Sequence, residues 1–233
     1  MIGEPRTHVV ECESTQLLLG PDDPEGAIAT TDHQTAGRGR LGRSWIEAPG
    51  TSVIVSVLLR PPAERRAPEL SLVAAVAVAH ALEEAAAGLA AQIKWPNDVL
   101  VEGRKVAGIL AEMKGVAVVL GIGINVNQTQ GELPDGAKIE PASLRTLDDV
   151  ERDREAILKT VLRRLDRSYG DWRTNGLAAL HADLAARDYF RGRRIRAGDT
   201  RGVAAGIDLA GRLQIETAAG SVSVESGEIE LEP

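Results

Sequence analysis

The sequence predicts an α+β protein: a mixed, largely antiparallel sheet with flanking helices, followed by a small β-barrel at the C-terminus. Three observations carry this. Apolar runs between residues 91 and 126 follow one another through Glu102-Gly103 and Lys114-Gly115 turns, a spacing that suits antiparallel hairpins rather than crossover helices. Two segments, one early and one late, have the length and apolar spacing of helices. After Asp188 the pattern changes to short alternating strands separated by glycine turns, roughly forty residues in all, as in a small barrel. The expected division is therefore 1–188 and 189–233.

In chain order, "HVVEC" (8–12) and "AIATTDHQ" (27–34) read as short strands, with Ser14 placed to cap a helix through "TQLLL" between them. Residues 35–50 hold four glycines and a proline and read as a loop. "TSVIVSVLLRP" is a buried strand ended by Pro61-Pro62. Ser71 is the expected cap of an alanine-rich helix reaching about Gly88, where glycine suits a C-cap. "AQIKWPNDVLV", "RKVAGILAEM" and "VAVVLGIGINV" are the neighbouring strands, and the polar 127–142 segment is a loop. "DREAILKTVLRRLDRSYGDW" has Ile157, Val161, Leu162 and Leu165 at helical spacing, and a second helix covers "LAALHADLAARD".

Composition narrows the function. Hydrophobic residues make up 43% and charged residues 26%, as in an ordinary soluble globular protein. Aromatics are only 3%, so Ala, Val, Leu and Ile must form most of the core. A net charge of −7 argues against a general nucleic-acid binder. The longest apolar stretch, "LVAAVAVAHALEEAAAGLAA", is interrupted by His80, Glu83 and Glu84 and is too short to span a bilayer. The N-terminus has no apolar signal region. The single cysteine, Cys12, cannot form an internal disulfide, which points to a reducing, cytoplasmic setting; it reads as a small buried residue rather than a nucleophile.

"TAGRGRLGRSW" (35–45) contains a literal G-x-G-x-x-G in Gly37, Gly39 and Gly42. A dinucleotide site requires a helix after the motif and an acid about twenty positions on. Here "SWIEAPGTSVIV" follows, then "VLLRPP", so that reading fails. No P-loop pattern is present either. Arg38, Arg40 and Arg43 alternate with the glycines instead, and arginine forks on a close backbone suit a phosphate or carboxylate. Trp45 is either a nucleobase platform or a half-buried anchor. In "KWPNDV" (94–99), Asn97-Asp98 is either turn chemistry or a group for a hard cation such as magnesium. In "RKVAGIL" (104–110), Lys105 opens an apolar strand; in "GIGIN" (121–125), Asn125 ends one, either capping the next turn or reaching a ligand.

These segments occur in one order, with "EST" (13–15) before them and "ASL" (142–144) after. The set, lying across residues 8–147, resembles the biotin protein ligase (biotin–acetyl-CoA-carboxylase ligase) family. "GIDLAGRL" and "SGEI" resemble that family's SH3-like C-terminal barrel. The resemblance implies a class II synthetase-like catalytic domain of the kind shared by biotin and lipoate ligases. It implies a two-step activity: biotin and Mg-ATP give biotinyl-5′-adenylate, then a lysine of a biotin carboxyl carrier protein takes the biotin. Lipoate–protein ligase chemistry and a catalytically silent biotin-binding scaffold are the competing readings. About a dozen residues precede "EST", too few for the DNA-binding domain that some members carry, so a ligase without repressor function and without a nucleic-acid partner is expected.

By motif position, the resemblance implies that Ser14, Thr15, Gln16 and Gln34 bind biotin's ureido edge or bicycle, with Gln16 where relatives often have asparagine. Arg38, Gly39 and Arg40 would also contact biotin, with Arg38 and Arg40 lining the adenylate phosphate and Arg43 the polyphosphate. Lys105 would bridge the biotin carboxylate and α-phosphate, and with Arg40 would be the catalytic pair. Gly108 would leave room for biotin. Trp45, Asn97 and Asn125 would serve the nucleotide, and Asp98 the nucleotide and magnesium. Two anions must meet in such a reaction, and fixed cations would screen their repulsion without a protein nucleophile.

Overall fold

The computed structural model describes residues 1–232. Seven strands form one sheet: β1 (Arg6–Cys12), β2 (Ile28–Gln34), β3 (Ser52–Leu59), β4 (Ala91–Lys94), β5 (Asp98–Val101), β6 (Arg104–Lys114) and β7 (Ala117–Asn125). Their order is β1-β2-β3-β7-β6-β5-β4. Only β1 and β2 run parallel; every other pair is antiparallel. The expected mixed, largely antiparallel sheet is thus present. Glu102 and Gly103 both take positive φ (53° and 74°), the backbone a two-residue hairpin turn requires.

Helices α1 (Leu70–Ala85) and α3 (Arg154–Asn175) cover one face of this sheet. Alternation decides which residues go there. On β7, Leu120, Ile122 and Ile124 enter the core under the helices. Gly121, Gly123 and Asn125 therefore point to the opposite, open face. That face carries the cavity.

Four local expectations need correction. "AQIKWPNDVLV" is not one strand but a hairpin of β4 and β5: Pro96 cannot donate to a ladder, and Asn97 N–H closes the turn on the Lys94 carbonyl at 3.2 Å. Residues 15–17 make a single 3₁₀ turn rather than a longer helix, and the Ser14 side chain does not cap it. Helix α1 begins at Leu70, after a 3₁₀ turn containing Pro68, which leaves Ser71 inside its first turn. Cys12 is half-buried, not buried, and burial pushes its thiol pKa up.

Two short helices, α2 (Leu144–Asp148) and α4 (His181–Arg187), complete the helical part. Beyond them a second antiparallel sheet contains β8 (Arg194–Ala197), β9 (Thr200–Ile207), β10 (Leu213–Thr217), β11 (Gly220–Val224) and β12 (Ile229–Leu231). It shares the main core through Ile195, Leu213 and Ile229. It is also tied in by polar contacts: fully buried Trp95 donates its Nε1–H to the Gly211 carbonyl (2.9 Å), and Tyr189 N–H donates to the Ile93 carbonyl (3.0 Å). No helix among the described residues is long and apolar enough to cross a membrane.

Candidate active site

A cavity of about 1070 Å³ opens on the free face of the seven-stranded sheet. It brings together every site residue singled out from the sequence: Ser14, Thr15, Gln16, Gln34, Arg38, Gly39, Arg40, Arg43, Trp45, Asn97, Asp98, Lys105, Gly108 and Asn125 all line it. These come from six separate stretches of chain, joined only by sheet register.

The floor is made of glycine. Gly108 on β6 pairs with Gly123 on β7, and Gly121 lies one pleat further along. A Cβ on Gly123 would sit 2.5 Å from Trp45 Cε2, and one on Gly108 would sit 3.0 Å from Trp45 Cζ3. A Cβ on Gly121 would sit 2.8 Å from Gln16 Nε2. The space that Gly108 was expected to leave for a ligand is therefore taken first by the Trp45 indole, lying on two paired glycines. Sequence reading missed Gly121 and Gly123, although the strict Gly-Ile alternation of "GIGIN" marks a strand with one bare face.

At one end of the cavity the polar groups are neutral and buried. Ser14, Thr15 and Gln16 are each at most 3% exposed. Thr15 is fixed: its N–H donates to Gln34 Oε1 (2.9 Å), and its hydroxyl lies 2.8 Å from Ser56 Oγ. Gln16 donates Nε2–H to the Leu110 carbonyl (3.0 Å). Ser14 Oγ, Gln16 Oε1 and Trp45 Nε1 are buried without a hydrogen-bond partner. Such atoms are costly unless water or a ligand completes them. Behind this end, Glu47 has a fully buried side chain and accepts the Gln34 N–H at 2.8 Å. Burial raises its carboxyl pKa, opposed by that hydrogen bond and by His33 nearby.

At the other end the groups are cationic. Lys105 Nζ lies 2.6 Å from Asp98 Oδ1 and 5.9 Å above the Trp45 ring. Lys94, missed as a site residue, lies 4.0 Å from Asp98 Oδ2 and over the Phe190 ring. Its ammonium pKa is lowered by burial first, then by repulsion from Lys105, Arg43 and Arg40. Arg40 is lowered by burial too, and it donates to Asn97 Oδ1 at 3.2 Å. Arg38 reaches Glu112 at 3.9 Å. Arg43 pairs with Glu228 of the C-terminal sheet's approach, and Lys138 joins Glu228 and Glu230 at 2.8 and 3.0 Å. Lys94, Lys105 and Arg40 thus gather around Asp98, with Arg43 close enough to repel Lys94 and Arg40, an excess of positive charge suited to an anion.

Three of the expected groups also make contacts within the chain. Asn125 uses both ends of its amide within the chain: Nδ2 donates to the Ala142 carbonyl (3.1 Å), and Oδ1 accepts from Gln128 (3.0 Å). It anchors the 127–142 segment to the sheet while lining the cavity. Asn97 likewise holds Ile109 from both directions (2.9 Å each) and acts on the site by steadying Arg40. The Asp98 carboxylate faces two ammonium groups, Lys105 at 2.6 Å and Lys94 at 4.0 Å. Among the described residues no three metal-ligating acids, histidines or cysteines lie together; a magnesium carried by ATP needs only one or two carboxylates besides phosphate and water.

Fold and site together define a ligase with the architecture of the biotin and lipoate ligases. The Biotin/lipoate A/B protein ligase family matches residues 13–128, and the Biotin protein ligase C terminal domain matches residues 191–232. The chain is 39% identical to the bifunctional ligase/repressor BirA of Bacillus subtilis, over 92% of this chain and 69% of that one. It is 33% identical to the biotin–[acetyl-CoA-carboxylase] ligase of Paracoccus denitrificans, over 96% and 97%. Among solved structures, the biotin protein ligase from Aquifex aeolicus in complex with biotin and ATP superposes with a TM-score of 0.89 at 30% identity, covering 99% of both chains. The chain belongs to the biotin protein ligase family, and the lipoate alternative falls away.

Proposed function

We propose that the protein is an ATP-dependent ligase that converts biotin to biotinyl-5′-adenylate and transfers the biotin to a lysine of a biotin carboxyl carrier protein. The observation that carries this is the polarity of one cavity: buried, unpartnered neutral atoms at one end and four converging cations at the other. Biotin has the matching halves. Its ureido N–H would donate to Gln16 Oε1 and its carbonyl would accept from Ser14 Oγ. Its carboxylate would then point toward Lys105.

In the first step a carboxylate oxygen attacks the α-phosphorus and pyrophosphate leaves. Lys105 exchanges Asp98 for the two reacting anions, while Arg38, Arg40 and Arg43 hold phosphate oxygens. In the second step the carrier's lysine amine attacks the acyl carbon, AMP leaves with the bonding pair, and the amine loses a proton. Trp45, lying between Lys105 and the glycine floor, shields the mixed anhydride from water. No residue of the chain must act as a nucleophile. Magnesium would enter with ATP as part of the substrate. We assign residues 1–188 to catalysis and 189–233 to the accessory module.

The test is biotin-dependent exchange of pyrophosphate into ATP, followed by labelling of a biotin carboxyl carrier domain. Exchange that requires biotin and is not supported by lipoate is expected; no exchange with either acid would overturn the proposal.

A further inference from the structure

The turn carrying Ser14, Thr15 and Gln16 is too short to hold itself. It has two internal backbone bonds, Leu17 N–H to the Ser14 carbonyl (3.0 Å) and Leu18 N–H to the Thr15 carbonyl (3.2 Å). Isolated 3₁₀ turns of this length have poor hydrogen-bond geometry. Yet two of its side chains bear the buried unpartnered atoms, Ser14 Oγ and Gln16 Oε1. Their positions must be set from outside. Gln34 and Ser56 hold Thr15 from β2 and β3.

The remaining support comes from β6. Lys114, about a hundred positions away in the chain, donates Nζ–H to the Gln16 carbonyl at 2.6 Å and to the Leu19 carbonyl at 2.8 Å. Both are charge-assisted bonds, among the stronger kind. Gln16 is thereby fastened to β6 twice, through its backbone by Lys114 and through its side chain by the Leu110 carbonyl. Lys114 itself does not line the cavity.

The geometry points to Lys114 as the positioning residue of this turn: by clamping the Gln16 and Leu19 carbonyls to β6, it sets where Ser14 Oγ and Gln16 Oε1 meet the ureido ring. This rests on the biotin reading above.

Lys114→Met keeps the aliphatic stem and removes the donors. In the pyrophosphate-exchange assay its KM for biotin should rise about tenfold or more, the scale of losing a charge-assisted bond. KM for ATP and kcat at saturating biotin should stay within about twofold, because the cationic end is untouched. Lys114→Arg, which keeps a charged donor, should recover most of the biotin KM. A purely structural role would lower the thermal midpoint or active fraction and leave both KM values alone, and that result overturns the proposal; so does an equal rise in both. Should the methionine variant not fold, Lys114→Gln, with one neutral donor, should still raise the biotin KM severalfold, and an unchanged value there also overturns it. Wild-type protein without biotin-dependent exchange would instead count against the functional reading.

Discussion

Ser14, Thr15 and Gln16 present neutral polar atoms from a turn tied to β2, β3 and β6, and two of those atoms, Ser14 Oγ and Gln16 Oε1, have no partner within the chain. At the opposite end of the same cavity, Lys105 and Arg43 already have carboxylate partners, Asp98 and Glu228. The two ends solve different problems. A neutral ring offers little energy with which to order a loop, so its contacts must be built in advance. A phosphate can displace a carboxylate from a lysine or arginine, so cations can be stored as ion pairs and exchanged. The recognition end is held by hydrogen bonds whose loss is local; the cationic end is held by charges whose loss is felt in the chemistry.

The sharpest way to break that contrast is Lys105→Ala. Adenylate formation should fall by about a hundredfold or more, since the charge matters most where two anions react, while the thermal midpoint changes little. Single-turnover adenylate formation measures it, and near-normal exchange in a folded variant would show that Lys105 is only Asp98's partner.

Arg40→Gly should separate making the adenylate from keeping it. Losing the fork on its phosphate removes roughly 1.5–3 kcal/mol of retention, about ten- to a hundredfold in dissociation. Released adenylate should then label bystander lysines without regard to sequence, visible by streptavidin blot against added albumin. Labelling confined to the carrier would give Arg40 another role.

Gly123→Ala tests the other end. The new methyl meets Trp45 Cε2 at 2.5 Å, and the indole must move. Overpacking of this kind costs roughly 1–3 kcal/mol, so the biotin KM should rise about tenfold, with ATP affected less. Equal effects on both substrates would mean that Trp45 serves the nucleotide, as the sequence reading had it.

The smallest effect is expected at Glu47. Its folded-state pKa is raised, so the native protein binds this proton more tightly than the unfolded chain does. Stability from this group is therefore present below the unfolded value and lost as pH rises through the folded one. Glu47→Gln keeps an acceptor for Gln34 without the buried charge. It should raise the thermal midpoint at pH 7 by about 2–4 °C, as roughly 1 kcal/mol does in a chain this size, and the gain should vanish near pH 4. A lower midpoint at pH 7 would mean that the ionised form, paired with His33, is the stabilising one.

Much of the site is legible in the chain because its chemistry sits in short contiguous motifs. Gly-Arg alternation at 37–43, "KWPND" and "RKVAGIL" name most of the cationic end, and the two-residue turns name the hairpins of β5, β6 and β7. What could not be read is whether a polar side chain is free. Asn125 and Asp98 look like ligand groups in one dimension, and only the fold shows that they also contact Ala142, Gln128 and the two lysines. Ser14 looks like a helix cap and is instead unoccupied.

Local alternation, turn chemistry and residue type act within a few positions, and those decided the strands, the helices and the inventory of charges. Hydrogen-bond satisfaction is settled by whichever atoms come within about 3 Å, and sheet register decides that. Register brought Gly108 opposite Gly123 beneath Trp45. It brought Lys114 to a turn about a hundred residues earlier in the chain. It also left the Ser14 hydroxyl and the Gln16 side-chain oxygen Oε1 in the cavity with nothing of the protein's own to bind.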